Sequence, residues 1–198
     1  MTNLVCDLAR EARSVRRFRE NEPVPVEVLR KLVQTAGLAP CAANLQQLRF
    51  SIINDGSTCG RLFPLLKWAG YLEGWPGPAP GERPAAYIVI HAPSQEKPFT
   101  RIDAGIAAGY MTLAARAAGL SSCLLLSFDR ERIPEVVESP DGMSAMLVMA
   151  VGAAAEEVTI EPLEPGGDVR YWRDGTGRHH VPKLSLDDLL LPQGSTKE

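Results

Sequence analysis

Two short segments near the N-terminus carry side chains with the chemistry to bind a ligand. The first, Arg13-Ser14-Val15-Arg16-Arg17-Phe18, places one hydroxyl among three guanidinium groups. Arginine offers a planar set of N–H donors with a permanent charge, and serine adds a short donor, so this segment suits a phosphate. The alternative is a solvated charged face without a ligand, which is the usual role of a run of arginines.

The second segment, Pro40-Cys41-Ala42-Ala43-Asn44-Leu45-Gln46, is predicted to form a turn that presents amide side chains. Asn44 and Gln46 each combine N–H donors with a C=O acceptor, which suits the polar edge of a flat heterocycle. Such residues are otherwise ordinary turn formers. On their own, the two segments are compatible with several nucleotide ligands.

Composition and charge restrict the class of protein. The 198 residues are 45% hydrophobic, and no shift in composition divides them, so we expect one domain over 1–198. A net charge of −3 argues against sequence-independent binding of nucleic acid. Charged residues interrupt the N-terminal segment before it could act as a signal peptide, and the longest apolar stretch, 106–115, is shorter than the roughly 20 residues that span a bilayer. We therefore expect a cytoplasmic protein with no membrane partner.

The cysteines and histidines do not indicate a metal site. The four cysteines are too widely spaced in sequence to resemble metal-ligand pairs. His179 and His180 are adjacent in a predicted strand, so their side chains should point to opposite faces and cannot share one ligand.

Hydrophobic periodicity predicts helices alternating with short strands, which is typical of an α+β protein. Helices are predicted over 4–12, 25–36, 103–118 and 129–137. A further helix is predicted to begin at a cap formed by Ser57 and to extend to residue 66. Strands are predicted over 48–53, 86–91, 122–126 and 146–151. A loop rich in Gly and Pro, 73–84, is expected to pack on the surface, and the tail 169–191 should contain a β-hairpin with its turn at 174–177.

The predicted helix 103–118 has an unusually small-residue face. Gly105 and Gly109 lie one turn apart, although each glycine costs a helix about 1 kcal/mol relative to alanine. This pattern predicts the close approach of another backbone, either a second helix of the same chain or the same helix of a partner chain.

The chain resembles the nitroreductase family of FMN-dependent oxidoreductases from Arg13 to about Leu190. Five motifs carry the resemblance, in this order: Arg13-Ser14-x-Arg16-x-Phe18, Ala39-Pro40-Cys41-x-x-Asn44-x-Gln46, Leu113-Ala114-Ala115-x-x-x-Gly119-Leu120, Met149-Ala150-Val151-Gly152 and Lys183-Leu184-Ser185-Leu186-Asp187-Asp188. The resemblance implies an α+β nitroreductase-like fold, with a central, mainly antiparallel sheet flanked by helices. It also implies an intertwined homodimer with flavin mononucleotide (FMN) at the subunit interface.

The resemblance assigns a role to each motif. Arg13, Ser14 and Arg16 should meet the FMN phosphate and ribityl chain, with Lys183 closing on the phosphate. The turn should wrap the ribityl chain and one side of the isoalloxazine, through Pro40, Cys41, Asn44 and Gln46. The backbone of Leu125, Leu126 and Ser127 should pass the flavin ring near N5. Ala12 and the pair Gln47-Leu48 depart from the family pattern, which often has Arg and Pro-Trp there.

The implied activity is a ping-pong reaction in which NAD(P)H delivers hydride to FMN and an electron-poor acceptor, nitroaromatic or quinone, is then reduced. No glycine-rich dinucleotide fingerprint is present, so the nicotinamide should stack on the flavin. Other possibilities are dehalogenation or flavin fragmentation on the same fold, storage or sensing of FMN without turnover, and a scaffold without flavin. The sequence marks no general acid or base.

Overall fold

A four-stranded antiparallel sheet forms the centre of the molecule. The computed structural model describes residues 3–191, and the sheet has the strand order β1-β2-β4-β3. Its strands are β1 (Arg49–Ile53), β2 (Ala86–Pro93), β3 (Ser121–Leu125) and β4 (Met143–Gly152). The two central strands, β2 and β4, are near-continuous apolar runs, and almost all of their residues are buried. This burial follows from their position, since both faces of the sheet are covered.

Helices and loops cover the two faces of the central sheet. The helices are α1 (Leu4–Glu11), α2 (Val26–Gly37), α3 (Gly56–Leu62), α4 (Pro98–Ala117) and α5 (Leu186–Leu189). Because side chains alternate along β2, Ile88 and Ile90 pack against α2 and α4. Tyr87 and Val89 face the opposite side, where they pack with Phe18 and α3. None of the helices described over 3–191 is long and apolar enough to cross a membrane.

A second, smaller sheet contains the C-terminal hairpin. It consists of β5 (Val158–Leu163), β6 (Trp172–Arg173) and β7 (His179–Leu184), in the order β5-β7-β6. The pair β6-β7 is antiparallel, and β5 and β7 are parallel. The Asp174 carboxylate fixes the hairpin turn by accepting hydrogen bonds from the backbone N–H groups of Thr176 and Arg178. The hairpin therefore gains the third strand that a marginal two-stranded ribbon needs.

Three local predictions were wrong. Helix α4 begins at Pro98 instead of residue 103, because proline is well suited to the first turn, where its missing N–H is not needed. Asp55, not Ser57, caps α3, by accepting a hydrogen bond of 2.8 Å from the backbone N–H of Thr58. The predicted helix 129–137 is reduced to the 3₁₀ turn Ile133–Glu135, since Pro134 cannot donate within a continuous helix.

The loop rich in Gly and Pro is packed against the body of the protein. Trp68, just before it, is buried, and Gly77 (φ +110°) passes so close that an added Cβ would lie 2.6 Å from the Trp68 ring. Trp75 lies beneath the Arg173 guanidinium, whose central carbon is 4.2 Å from the indole ring centroid. The loop is thereby attached to the hairpin.

Candidate functional site

The first segment and the tail lysine line one cavity. Arg13, Ser14, Arg16 and Lys183 all border a cavity of about 710 Å³ beside α4. Ser14 forms a parallel bridge to Ser122 of β3, and the next residue, Val15, donates its N–H to the Ser122 carbonyl over 3.0 Å. Lys183 comes from β7 of the smaller sheet. Two sheets thus bring together three cationic side chains and a hydroxyl, the donor set expected for a phosphate.

The glycine face of α4 forms another wall of this cavity. Gly105 and Gly109 both line it, together with Leu124 and Tyr171. A Cβ atom built on either glycine would meet no other atom within 4 Å in the described part of the chain. The close packing predicted at these glycines is therefore not supplied by a helix of the same chain.

A buried carboxylate holds the backbone of the first segment. The Glu156 side chain is 1% exposed and accepts hydrogen bonds from the backbone N–H groups of Arg16 (2.5 Å) and Arg17 (3.1 Å). Its other oxygen accepts from the Arg173 guanidinium at 2.7 and 3.2 Å. One carboxylate thereby joins the arginine segment to β6. Charge-assisted bonds of this kind offset the cost of burying the group only when its partners are all in place.

The Arg16 side chain is held by the hairpin. Its Nη1 lies 3.1 Å from His179 Nε2 and 3.4 Å from the Ser14 carbonyl, and its guanidinium carbon lies 4.4 Å from the Tyr171 ring centroid. Arginine can only donate, so His179 accepts at Nε2 and carries its proton on Nδ1. Burial, assisted by the Arg16 charge, lowers the pKa of His179 to about 4. The imidazole is therefore neutral near pH 7.

The turn of the second segment lies elsewhere in the same chain. Pro40, Cys41 and Gln46 line a separate cavity of about 170 Å³, together with Asp103 and Ala107 of α4. On a helix, these two α4 residues lie on the face opposite Gly105 and Gly109. The structure therefore places the two segments on different sides of α4 instead of in one pocket.

The backbone of this turn is strained. Ala43, Asn44 and Gln46 have positive φ values of 48°, 53° and 49°, which residues other than glycine seldom adopt. Asp103 supports the turn by accepting a hydrogen bond of 2.9 Å from the backbone N–H of Ala42. Asn44 is exposed and borders neither cavity. Strain of this kind is concentrated at ligand-binding turns, where the surrounding structure maintains it.

The segment after β3 contributes little side-chain surface. Leu125 is buried in the core, whereas Leu126 and Ser127 are exposed just beyond the strand. None of these three side chains lines either cavity, although the neighbouring Leu124 borders the larger one. Their assignment to the flavin ring stays a prediction that concerns the backbone.

Four residues of the site were not predicted: Tyr171 lines the larger cavity, Glu156 and His179 contact Arg16, and Arg173 contacts Glu156. The alternation of the paired histidines did predict that His179 and His180 face opposite sides, and one is buried while the other is partly exposed. Nothing local marks Glu156, since its partners are 17 and 140 residues away. Within residues 3–191, no group of three or more His, Cys, Asp or Glu side chains is arranged to hold a metal ion.

The fold and this site define an α+β protein with a basic cavity between a central antiparallel sheet and a C-terminal hairpin. The sequence profile of the Nitroreductase family matches residues 9–153. The chain is 30% identical to the NADH dehydrogenase of Thermus thermophilus, over 83% of this chain and 94% of that protein. It is 26% identical to the iodotyrosine deiodinase of Thermotoga neapolitana, over 75% of this chain and 88% of that protein.

Solved structures agree with these sequence matches. An FMN-dependent nitroreductase from Clostridium difficile superposes with a TM-score of 0.62 and 26% identity, over 76% of this chain and 87% of that one. The chain belongs to the nitroreductase family. The α+β fold with its mainly antiparallel central sheet is confirmed.

Proposed function

We propose that this protein is an FMN-dependent oxidoreductase that takes electrons from NAD(P)H and passes them to an electron-poor acceptor of the nitroaromatic or quinone type. The observation that carries the proposal is the convergence of Arg13, Ser14, Arg16 and Lys183 on one cavity. Membership of the nitroreductase family and similarity to an NADH dehydrogenase and an FMN-dependent nitroreductase support it. A cytoplasmic location, where NAD(P)H is available, is part of this proposal.

The residues present fit FMN. Three cationic side chains and a hydroxyl would neutralise and hydrogen-bond the phosphate, while Gly105, Gly109 and Leu124 leave an apolar wall beside it. FMN supplies hydride chemistry when bound, and the protein supplies position and electrostatics. The volume of about 710 Å³ is in the range of cofactor sites.

The site is completed by a second copy of the chain. The strained turn 40–46, predicted to contact the ribityl chain and ring, lies on the other side of α4 from the phosphate residues of its own chain. The open face at Gly105 and Gly109 can accept the backbone of a partner. In a homodimer with two-fold symmetry, the turn of one chain can meet the arginine segment of the other, twice.

The reaction would proceed as two half-reactions at one place. NAD(P)H binds in the cavity, gives up hydride and leaves, and the acceptor then occupies the same space. The chain's own contribution is to fix the phosphate through the arginine segment and to shield the reacting ring with α4 and the partner's turn. We assign no side chain to proton transfer.

Anaerobic mixing with NADH or NADPH tests the proposal. The purified protein, supplied with FMN, should show the flavin absorbance bands, lose them on mixing, and regain them when a quinone or nitroaromatic is added. Flavin that binds but does not bleach would indicate an FMN-binding protein without this turnover. Protein that remains colourless after FMN is added would refute both roles.

Reductive dehalogenation is a second candidate, supported by the similarity to the iodotyrosine deiodinase of Thermotoga neapolitana. In that reaction two electrons and a proton replace a carbon–iodine bond by a carbon–hydrogen bond and release iodide. The reduced protein would be mixed with an iodinated phenol, and released iodide measured. Iodide release faster than reduction of quinone or nitroaromatic would favour this activity over the first.

A further inference from the structure

We propose that His179 is a positioning residue, which holds the Arg16 guanidinium in the large cavity so that it can bind the ligand phosphate. This inference rests on the proposed FMN function. His179 is fully buried on β7. Its backbone N–H donates to the Glu157 carbonyl over 2.9 Å, so the backbone that carries the ring is held in place. Its Nε2 is the side-chain acceptor for Arg16, at 3.1 Å.

Arg16 benefits from such a support because a long side chain loses conformational freedom when it binds an anion. His179 fixes one end of the guanidinium, and the Tyr171 ring covers it at 4.4 Å. Both hydrogen bonds that the guanidinium makes with described residues start from Nη1, so its other donors are left for a ligand. The Arg16 side chain has therefore already lost conformational freedom in the folded protein before a ligand binds.

The support depends on a neutral imidazole. A protonated ring would have no acceptor at Nε2 and would repel the guanidinium. The charged and titratable groups around His179 are Arg16, Glu156, Arg173 and His180, with the Tyr171 ring 5.1 Å away. The Nδ1 atom of His179 has no hydrogen-bond partner among the described residues. Among these residues, Arg16 is therefore the one side chain that forms a hydrogen bond with the His179 ring.

The neighbouring His180 provides a matched control. Its ring contacts Glu161 (2.7 Å) and Asp174 (3.2 Å) and stacks on Trp172, and it does not line the cavity. A change at His180 therefore alters the same strand and the same residue type without touching Arg16.

The test compares binding of FMN with binding of riboflavin, which lacks the phosphate. In His179→Phe, which keeps a ring but loses the acceptor, we expect FMN affinity to fall about tenfold, as for a lost hydrogen bond to a charged group. Riboflavin affinity should be unchanged, His179→Gln should restore part of the loss through its amide oxygen, and His180→Gln should bind FMN normally. Adding His179→Phe to Arg16→Ala should cause no further loss.

Unchanged FMN affinity in His179→Phe, or an equal loss for FMN and riboflavin, would overturn the proposal. If this variant does not fold, the tautomer of His179 in the unaltered protein decides the matter by nitrogen NMR. A proton on Nδ1 supports the proposal, and a proton on Nε2 refutes it. A wild-type protein that binds no FMN would instead refute the proposed function. A wild-type protein that binds FMN, with an affinity that falls in Arg16→Ala but not in His179→Phe, would refute only this inference.

Discussion

At the scale of single residues, the two adjacent histidines illustrate how strand geometry separates identical side chains. Burial lowers the pKa of His179 to about 4. Hydrogen bonds that the ring donates to the carboxylates of Glu161 and then Asp174 raise the pKa of His180. Because consecutive residues of β7 face opposite sides, one sequence pair yields one neutral and one readily protonated imidazole.

We predict opposite effects of these histidines on the pH dependence of stability. The unfolded chain binds a proton at either ring with a pKa of about 6.5. The His179 contribution is therefore present above about pH 6.5 and is lost as the pH falls toward 4. The His180 contribution is present below about pH 6.5 and is lost as the pH rises through its raised pKa.

Proton NMR titration of the imidazoles, with urea unfolding at several pH values, measures both effects. In His180→Gln, the free energy of unfolding should no longer decrease as the pH rises through the raised pKa of His180. It should still decrease as the pH falls below 6.5. A His179 ring that titrates above 6.5 would contradict the assignment of a buried, neutral side chain.

At the scale of elements, α4 has two different functions on two faces. Its buried face carries Ala107 and Met111 into the core beneath the central sheet, and Asp103 holds the turn 40–46. Its open face presents Gly105 and Gly109 to the large cavity. The two glycines therefore lie on the open face, whereas the small residues of the buried face are alanines.

We predict that Gly109→Leu prevents dimerisation. Leucine favours a helix over glycine by roughly 0.8 kcal/mol, so the single chain should remain folded while a side chain blocks the approach of a partner. Analytical ultracentrifugation should show a shift from dimer to monomer. The control is Gly60→Leu in α3, where an added Cβ also meets no atom within 4 Å. If Gly109→Leu and Gly60→Leu sediment alike as dimers, this face of α4 is not the interface.

At the scale of the whole molecule, the separation of the two segments predicted to bind the ligand is the main consequence of the fold. Arg16 and the turn 40–46 occupy different sides of α4 in one chain, in cavities of about 710 and 170 Å³. A flavin that touches both must lie between two chains.

Subunit complementation tests this arrangement directly. Arg16→Ala and Asn44→Ala should each weaken FMN binding when purified alone. After the two variants are unfolded together and refolded, half of the dimers are mixed and each has one intact site, so about a quarter of all sites should bind normally. The controls are the two variants refolded separately. If mixing restores no sites, both segments act within one chain.

Much of the fold was predictable from local patterns. The apolar runs of β2 and β4, the amphipathic α2 and the hairpin turn at Asp174 follow from periodicity and turn chemistry. The errors at Pro98 and Asp55 lie at helix ends, where the choice among neighbouring caps depends on a few hydrogen bonds. The error at 129–137 concerns a whole helix, which Pro134 limits to a 3₁₀ turn.

The amino-acid sequence by itself determined the donor types of the site and the small-residue face of α4. These depend on residue identity and helical spacing alone. Only the tertiary structure decided that Glu156 holds the arginine segment, that His179 contacts Arg16 instead of a ligand, and that the turn 40–46 lies beyond α4. Such contacts join residues as far as 163 positions apart, and their partners are set by how two sheets pack.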